Sequence, residues 1–223
     1  MKEALIALGA LIVLGAGGYW FIFMQSSSPA TSDAFATSTA KQPGVAQDTA
    51  AEVAPAQPTQ PQQPTNIMQA TLHTNKGDIT IEFDAVHAPT AVASFVKLTQ
   101  SGFYDGTKFH RVIKGFMDQG GDPLSKDDAQ AARWGTGGPG YQFNDENMVA
   151  NNTGVVSMAN SGPNTNGSQF FINAANNNFL DGKYTVFAKV TAGLDVAMAI
   201  NNTPTGANDR PVEPIVISSI TLK

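Results

Sequence analysis

Residues 4–24, ALIALGALIVLGAGGYWFIFM, run 21 positions without a charge, which as a helix spans roughly 30 Å, the thickness of a bilayer's hydrocarbon core. An apolar run of that length is set apart for the membrane, so residues 1–24 are predicted to be an N-terminal transmembrane anchor. The other reading is a cleaved signal peptide, whose apolar region should cover only about 7 to 15 residues and end at a small-x-small site. Ala34-Phe35-Ala36 has that form but lies well past the run. Tyr19, Trp20 and Phe21 near its end suit the interface between membrane and water, and Lys2 favours a cytoplasmic N-terminus with the remainder outside.

Residues 25–67 are dominated by Ala, Gln, Pro, Ser and Thr, with four charged residues and one aromatic, too little apolar surface to offset the entropy of ordering. They are predicted to be a disordered linker. Pro55, Pro58, Pro61 and Pro64 recur every third residue, the turn of a polyproline II helix, which serves as a stiff spacer or as a docking site for a proline-recognition module. A coil of this length reaches roughly 35 Å. The six linker prolines are also tethered within reach of the domain that follows.

Residues 68–223 remain for a single domain of ordinary size. They carry 11 basic and 14 acidic side chains with no basic cluster, which argues against nucleic acid as a partner. The chain has no cysteine, excluding disulfides, thiol catalysis and thiolate metal sites. Residues 68–73 and 78–83 flank Thr74-Asn75-Lys76-Gly77 as a hairpin, with Ile79, Ile81 and Phe83 on one face. Pro89-Thr90 opens a helix that ends at Gly102, and a second, short helix is expected over residues 194–201. Strands are expected over 109–113, 155–158, 169–172, 185–190 and 215–222. With two helices, this pattern predicts a mainly β domain, a closed barrel covered at its ends by helices.

Several chemical signals fail on context. Residues 135–140, GTGGPG, satisfy G-x-G-x-x-G but follow no apolar strand, and Pro139 removes an amide. His73, His87 and His110 are far apart without ligand-spaced companions, so no metal is expected. Serines lack a nucleophile elbow. The triplets beginning at Asn151, Asn166 and Asn201 match glycosylation acceptors, but turn chemistry explains them better.

Residues 109–121, FHRVIKGFMDQGG, place a cation among apolar residues. Read as one extended run, Phe109, Arg111, Ile113, Met117 and Gln119 share parity, with a kink at Gly115 that brings Phe116 round. Arg111 would then stand in an apolar cleft; alternatively it snorkels from the rim or pairs with a carboxylate such as Asp118.

Together with residues 155–172, VVSMANSGPNTNGSQFFI, and 179–190, FLDGKYTVFAKV, this stretch resembles the cyclophilin-type peptidyl-prolyl cis-trans isomerases. The resemblance covers residues 68–223 and neither anchor nor linker. It implies an eight-stranded antiparallel barrel capped by two α-helices, a groove for proline-containing polypeptides, and no cofactor. Arg111 matches the catalytic arginine; Phe116, Met117, Phe171 and Leu180 match the proline pocket; Gln119 and Gln169 match polar groups that hold the peptide. Ala159, Asn160 and Ser161 match the segment that pairs with substrate backbone, and His110 a groove histidine, which needs no acid or base role because isomerisation moves no proton. Phe179 and Tyr184 stand at groove positions where tryptophan and histidine are common, and Lys114 where proline is common. Losing the indole N–H is expected to weaken binding of cyclosporin. Residues 124–134 are longer than the matching loop of compact members, either an inert insertion or one that adjusts substrate choice.

The implied function is isomerisation of X-Pro bonds in proteins outside the cytoplasm of a bacterium, from the membrane, or in secreted or periplasmic form if the N-terminal segment is cleaved. The competing reading is a non-catalytic proline-peptide-binding module or chaperone that uses the same groove.

Overall fold

A computed structural model describes residues 68–146 and 149–223. The anchor and linker expected over residues 1–67 lie outside the described residues, among which no helix is long and apolar enough to cross a membrane. The first two strands, β1 (Gln69–Thr74) and β2 (Gly77–Phe83), form the expected hairpin, with Leu72 opposite Ile79 and Ala70 opposite Ile81. Alternation sends these four side chains and Phe83 to one face, where all are buried. Helix α1 (Pro89–Gln100) starts on a proline that has no N–H to leave unsatisfied. The next two amides, of Thr90 and Ala91, each donate to a Glu146 carboxylate oxygen at 3.0 Å, a favourable charge at the positive end of the helix.

Six further strands follow: β3 (Arg111–Ile113), β4 (Met117–Gly120), β5 (Val155–Met158), β6 (Phe170–Asn173), β7 (Val186–Ala192) and β8 (Ile217–Leu222), with helix α2 (Leu194–Asn201) between the last two. All ladders are antiparallel, in the order β3-β4-β6-β5-β7-β2-β1-β8. The expectation of a closed barrel is corrected: the sheet is an open, half-barrel ladder with β3 and β8 as its edges. Those edges approach one another only just upstream, where Lys108 bridges Val216, Phe109 N donates to Ile215 O at 2.9 Å and Ile217 N donates to Thr107 O at 2.8 Å. Pairing stops there: the next hydrogen-bonding pair in that register would be Arg111 with Glu213, and no backbone bond joins them, while Pro214 O turns the other way to accept from Asn75 Nδ2 at 2.9 Å.

The main core gathers on Phe95 of α1, whose ring lies 4.9 to 5.7 Å from those of Phe83, Tyr104, Phe170 and Phe187. Strand β6 is buried on both faces: Phe170 and Ile172 enter this core, while Phe171 joins a separate cluster with Met117 and Leu180.

Residues 109–119, read from sequence as one kinked run, are instead the end of the seam followed by a hairpin that turns at Gly115, whose φ of 71° is left-handed. Arg111 sits opposite Gln119 and Ile113 opposite Met117, so the expected shared face survives by cross-strand pairing. Phe109 does not share that face; it is buried in the main core beside Phe170.

Val112 and Asp118 point the other way, into the interior. Asp118 therefore cannot pair with Arg111. Its Oδ1 accepts from Asn201 Nδ2 at 2.8 Å, and its Oδ2 has no hydrogen-bond partner. Asn201, the last residue of α2, also donates to Ile113 O at 3.0 Å and accepts from Gly115 N at 2.8 Å, so one amide side chain clamps both sides of the β3–β4 turn. Burial pushes Asp118 up to about 7, against the lowering effect of the Asn201 bond.

Because Asp118 binds its proton more tightly folded than unfolded, its contribution to stability is full below the unfolded-state value and is lost as pH rises toward 7. Wild type should lose roughly 2 to 4 kcal/mol from this group between about pH 4 and 7, and Asp118→Asn should abolish that loss. Urea unfolding of both proteins across that range checks it. His110, whose pKa burial lowers, shifts stability in the opposite sense in both proteins, so the difference between the two is the readout.

Candidate active site

On the outer face of the half-barrel, Arg111 pairs opposite Gln119, and Gln119 opposite Phe171. Neighbouring strands lie roughly 5 Å apart, so a cation, an amide and an aromatic ring stand in one row across β3, β4 and β6. One row along, Met117 joins Phe171 and Leu180 in a buried apolar cluster, with Ile113, Phe116, Ala159 and Tyr184 packed against it. Tyr184 meets Phe171 edge-on at 5.6 Å. Phe179, 64% exposed, stacks on Phe116 at 5.7 Å. Sequence reasoning placed all these residues in one groove, and the structure brings them together.

Buried amides hold the cluster from below. Asn177 Nδ2 donates to Phe116 O at 2.9 Å and to Asn173 Oδ1 at 2.7 Å, while Asn173 Nδ2 reaches Ser157 Oγ at 3.2 Å, and that hydroxyl donates to Asn151 Oδ1 at 2.7 Å. Asn151 and Asn166, read from sequence as turn residues, are fully buried and hydrogen-bonded.

Polar groups make the neighbouring wall. Gln119 Nε2 donates to Gln169 Oε1 at 2.9 Å, and Gln169 Nε2 to Gly137 O at 2.8 Å. Ala159 N donates to Gln169 O at 2.9 Å, Asn160 Nδ2 to Lys183 O at 3.0 Å, and Ser161 N to Thr165 Oγ1 at 2.9 Å. These residues border a cavity of about 600 Å³ closed by the glycine-rich stretch 135–140. The amides of Gly135 and Gly137 donate to Asp122 Oδ2 and that of Leu124 to Oδ1, so they are committed to a buried carboxylate and not to a phosphate. A Cβ at Gly137 would come 2.1 Å from Asp122 Oδ1, which restricts that position to glycine.

Arg111 differs from expectation in its surroundings. Its side chain is 45% exposed, and its Nε donates to Asp209 Oδ2 at 3.3 Å. Apolar neighbours do not shield the guanidinium on their own; an ion pair this exposed contributes at most about 1 kcal/mol to stability and acts mainly by orienting the group. Asp209 lies 98 residues away in the chain, in a turn (Ala207–Asp209) packed against β3, and no local sequence signal marks it. His110 is 4% exposed, and neither ring nitrogen completes a hydrogen bond of normal geometry. Burial lowers its pKa, partly offset by Asp122, so the ring is neutral at physiological pH. A second cavity, of about 510 Å³, lies beside His110, Arg111 and Gln119.

A family model described as cyclophilin type peptidyl-prolyl cis-trans isomerase matches residues 69–222. A peptidyl-prolyl cis-trans isomerase of Arabidopsis thaliana is 47% identical over 158 residues, covering 70% of this chain and 96% of the plant protein. A probable peptidyl-prolyl cis-trans isomerase A of Mycobacterium leprae is 46% identical over 173 residues, covering 69% of this chain and 91% of that one. Among solved structures, a cyclophilin type isomerase of Cryptosporidium parvum superposes with a TM-score of 0.65 at 35% identity, over 71% of this chain and 98% of its own. A structure of it determined in the presence of the dipeptide Ala-Pro gives 0.64 at the same identity.

The Asp122 carboxylate ties both ends of the 124–134 stretch to the groove wall. Asp122→Ala should lower stability by about 2 to 4 kcal/mol in urea unfolding. Amide exchange should quicken at Leu124, Gly135 and Gly137 while β5 and β6 keep their protection.

Proposed function

Because this chain belongs to the cyclophilin-type peptidyl-prolyl cis-trans isomerase family and is an isomerase of X-Pro peptide bonds, we propose that Arg111 is the group that lowers the barrier to rotation. The observation that supports this most directly is the cross-strand row, which sets Arg111 beside Gln119 and next to the apolar cluster around Phe171.

An X-Pro bond rotates slowly because twisting breaks amide resonance, at a barrier of about 18 to 20 kcal/mol. Midway, the proline nitrogen is pyramidal and regains a lone pair. A donor that reaches this lone pair binds the transition state and neither ground state, which is the condition for catalysis. Arg111 is engaged through Nε alone, so its Nη groups are uncommitted for that bond. A charge-assisted hydrogen bond contributes about 1.5 to 3 kcal/mol, one to two powers of ten in rate. The rest comes from holding the ring while the preceding carbonyl turns, and from a site drier than water. In the free protein Arg111 is half exposed, so the bound peptide itself supplies the missing cover.

In this reading Phe116, Met117, Phe171 and Leu180 hold the proline ring. Gln119 and Gln169 bond the peptide, the 159–161 segment pairs with its backbone, and Phe179 and Tyr184 flank the pocket. His110, buried and neutral, moves no proton. The chemistry calls for no cofactor. Phe179 offers cyclosporin no N–H, so that drug binds weakly. The uncharged run over residues 4–24 supports a membrane-anchored enzyme whose catalytic domain acts on exported polypeptides in a bacterial cell envelope.

In a protease-coupled assay on several X-Pro peptides, the full chain should be active, and Arg111→Ala should lower kcat/KM at least about tenfold to a hundredfold while peptide affinity changes much less. Wild type that binds these peptides without accelerating their rotation would establish a binding module instead. The mass of protein extracted from membranes should retain residues 1–24; a mass that starts the chain just after Ala36 would show cleavage.

A further inference from the structure

The 124–134 stretch forms a wall of the 510 Å³ cavity beside Arg111, away from the apolar cluster that holds proline. We infer that this cavity is a second subsite of the peptide groove, which takes the carboxylate side chain of an Asp or Glu residue flanking the X-Pro bond. The inference rests on the isomerase reading above.

The wall is built and not loose. The Trp134 ring has the Lys108 ammonium and the Arg210 guanidinium each 4.8 Å from its centre. Its Nε1 donates to Asp127 O at 3.1 Å, Lys108 Nζ donates to Asp128 at 2.6 Å, and Arg210 donates to Ala131 O. Facing it, Asn208 and Asp209 both hold left-handed backbone, with φ of 60° and 58°, a conformation that non-glycine residues adopt at a cost and that gathers at functional sites. That turn is what carries Asp209 to Arg111.

The floor is His110, 96% of whose surface is covered although its ring nitrogens lack partners of normal geometry. Both nitrogens are closed off from solvent, so the ring supports the cavity by packing beneath it.

Charge selects the ligand. Arg111 and Arg210 border the cavity against one carboxylate, Asp209, which Arg111 already engages. His110 is neutral, and the Asp122 carboxylate behind it is saturated by three backbone amides. The acids of the stretch itself are also engaged, Asp128 by Lys108 and Asp127 by the amide of Ala129 and the side chain of Gln130. A carboxylate entering here meets two guanidiniums with uncommitted N–H groups; a lysine meets only an acid that is already paired. Gln119 and Gly135 line both this cavity and the 600 Å³ one, so the two lie side by side, and Gln119 is the residue that pairs opposite Phe171.

The test compares peptides with one X-Pro core and Glu, Gln or Lys placed in turn at each of the two positions on either side, using the full chain and NMR exchange to measure rotation. At one position the Glu peptide should exceed Gln and Lys about fivefold in kcat/KM, and the advantage should shrink in high salt. It should vanish in Arg210→Gln. Equal rates for all three side chains at every position overturn the inference, a comparison that needs no variant, as does an advantage that survives Arg210→Gln. If no peptide is turned over at all, the isomerase reading falls and takes this inference with it.

Discussion

Every second residue of a strand faces the opposite side of the sheet, and in β4 and β6 both sides are occupied. Met117, Gln119 and Phe171 face the groove, while Asp118, Phe170 and Ile172 face the interior. A four-residue strand thus belongs to the core and to the site at once. A shift of one residue in the β4–β6 register would exchange every one of these assignments, so the geometry of the groove is as firm as the packing of Phe170 against Phe95. Asn201 extends the same logic to the turn, since its amide holds Ile113, Gly115 and Asp118 together from the end of α2.

That firmness contrasts with the electrostatics of the outer face. Arg111 and Asp209 are each nearly half exposed, and water weakens what they do for one another. The pair orients the guanidinium without holding it strongly, which suits the proposed role of Arg111 as a donor whose best partner exists only midway through rotation. Had Arg111 been buried with a permanent carboxylate, as Asp118 is buried with Asn201, the strong bond would have been made in the ground state and nothing would have remained for the transition state.

Much of this architecture was legible in the sequence, for local reasons. The β1–β2 hairpin, both helices and the groove residues 110–119, 159–161, 169–171 and 179–184 lie in stretches where periodicity, turn residues or motif resemblance operate over a few positions. Illegible features depend on distant pairs. Gly115 looked like a kink in one strand, but whether a chain kinks or reverses depends on the partner that its second arm finds, here β6. Asp118 looked available to Arg111 until cross-strand register turned it inward. Asp209 and Arg210 carry no local mark, and Asn201 carries only that of a turn triplet, because their roles exist only after α2 and the seam have brought them to β3.

The open seam joins these strands of argument. Closure of the ladder would have required backbone bonds between Arg111 and the segment opposite it, and the seam ends at the Lys108–Val216 bridge without them. The unpaired edge of β3 is instead covered by the turn at Ala207–Asp209 and, through Arg210 and Trp134, by the 124–134 stretch. An edge strand covered by side chains rather than by another strand presents varied chemistry in place of a uniform row of backbone groups. Arg111 begins that edge strand, so the missing ladder leaves its guanidinium open to one side, where neighbouring loops determine what it meets. The apolar cluster around Phe171 is fixed by strands flanking β6, whereas the ground beyond Arg111 is fixed by loops, and it is there that members of one fold can differ in the polypeptides they accept without disturbing the reaction.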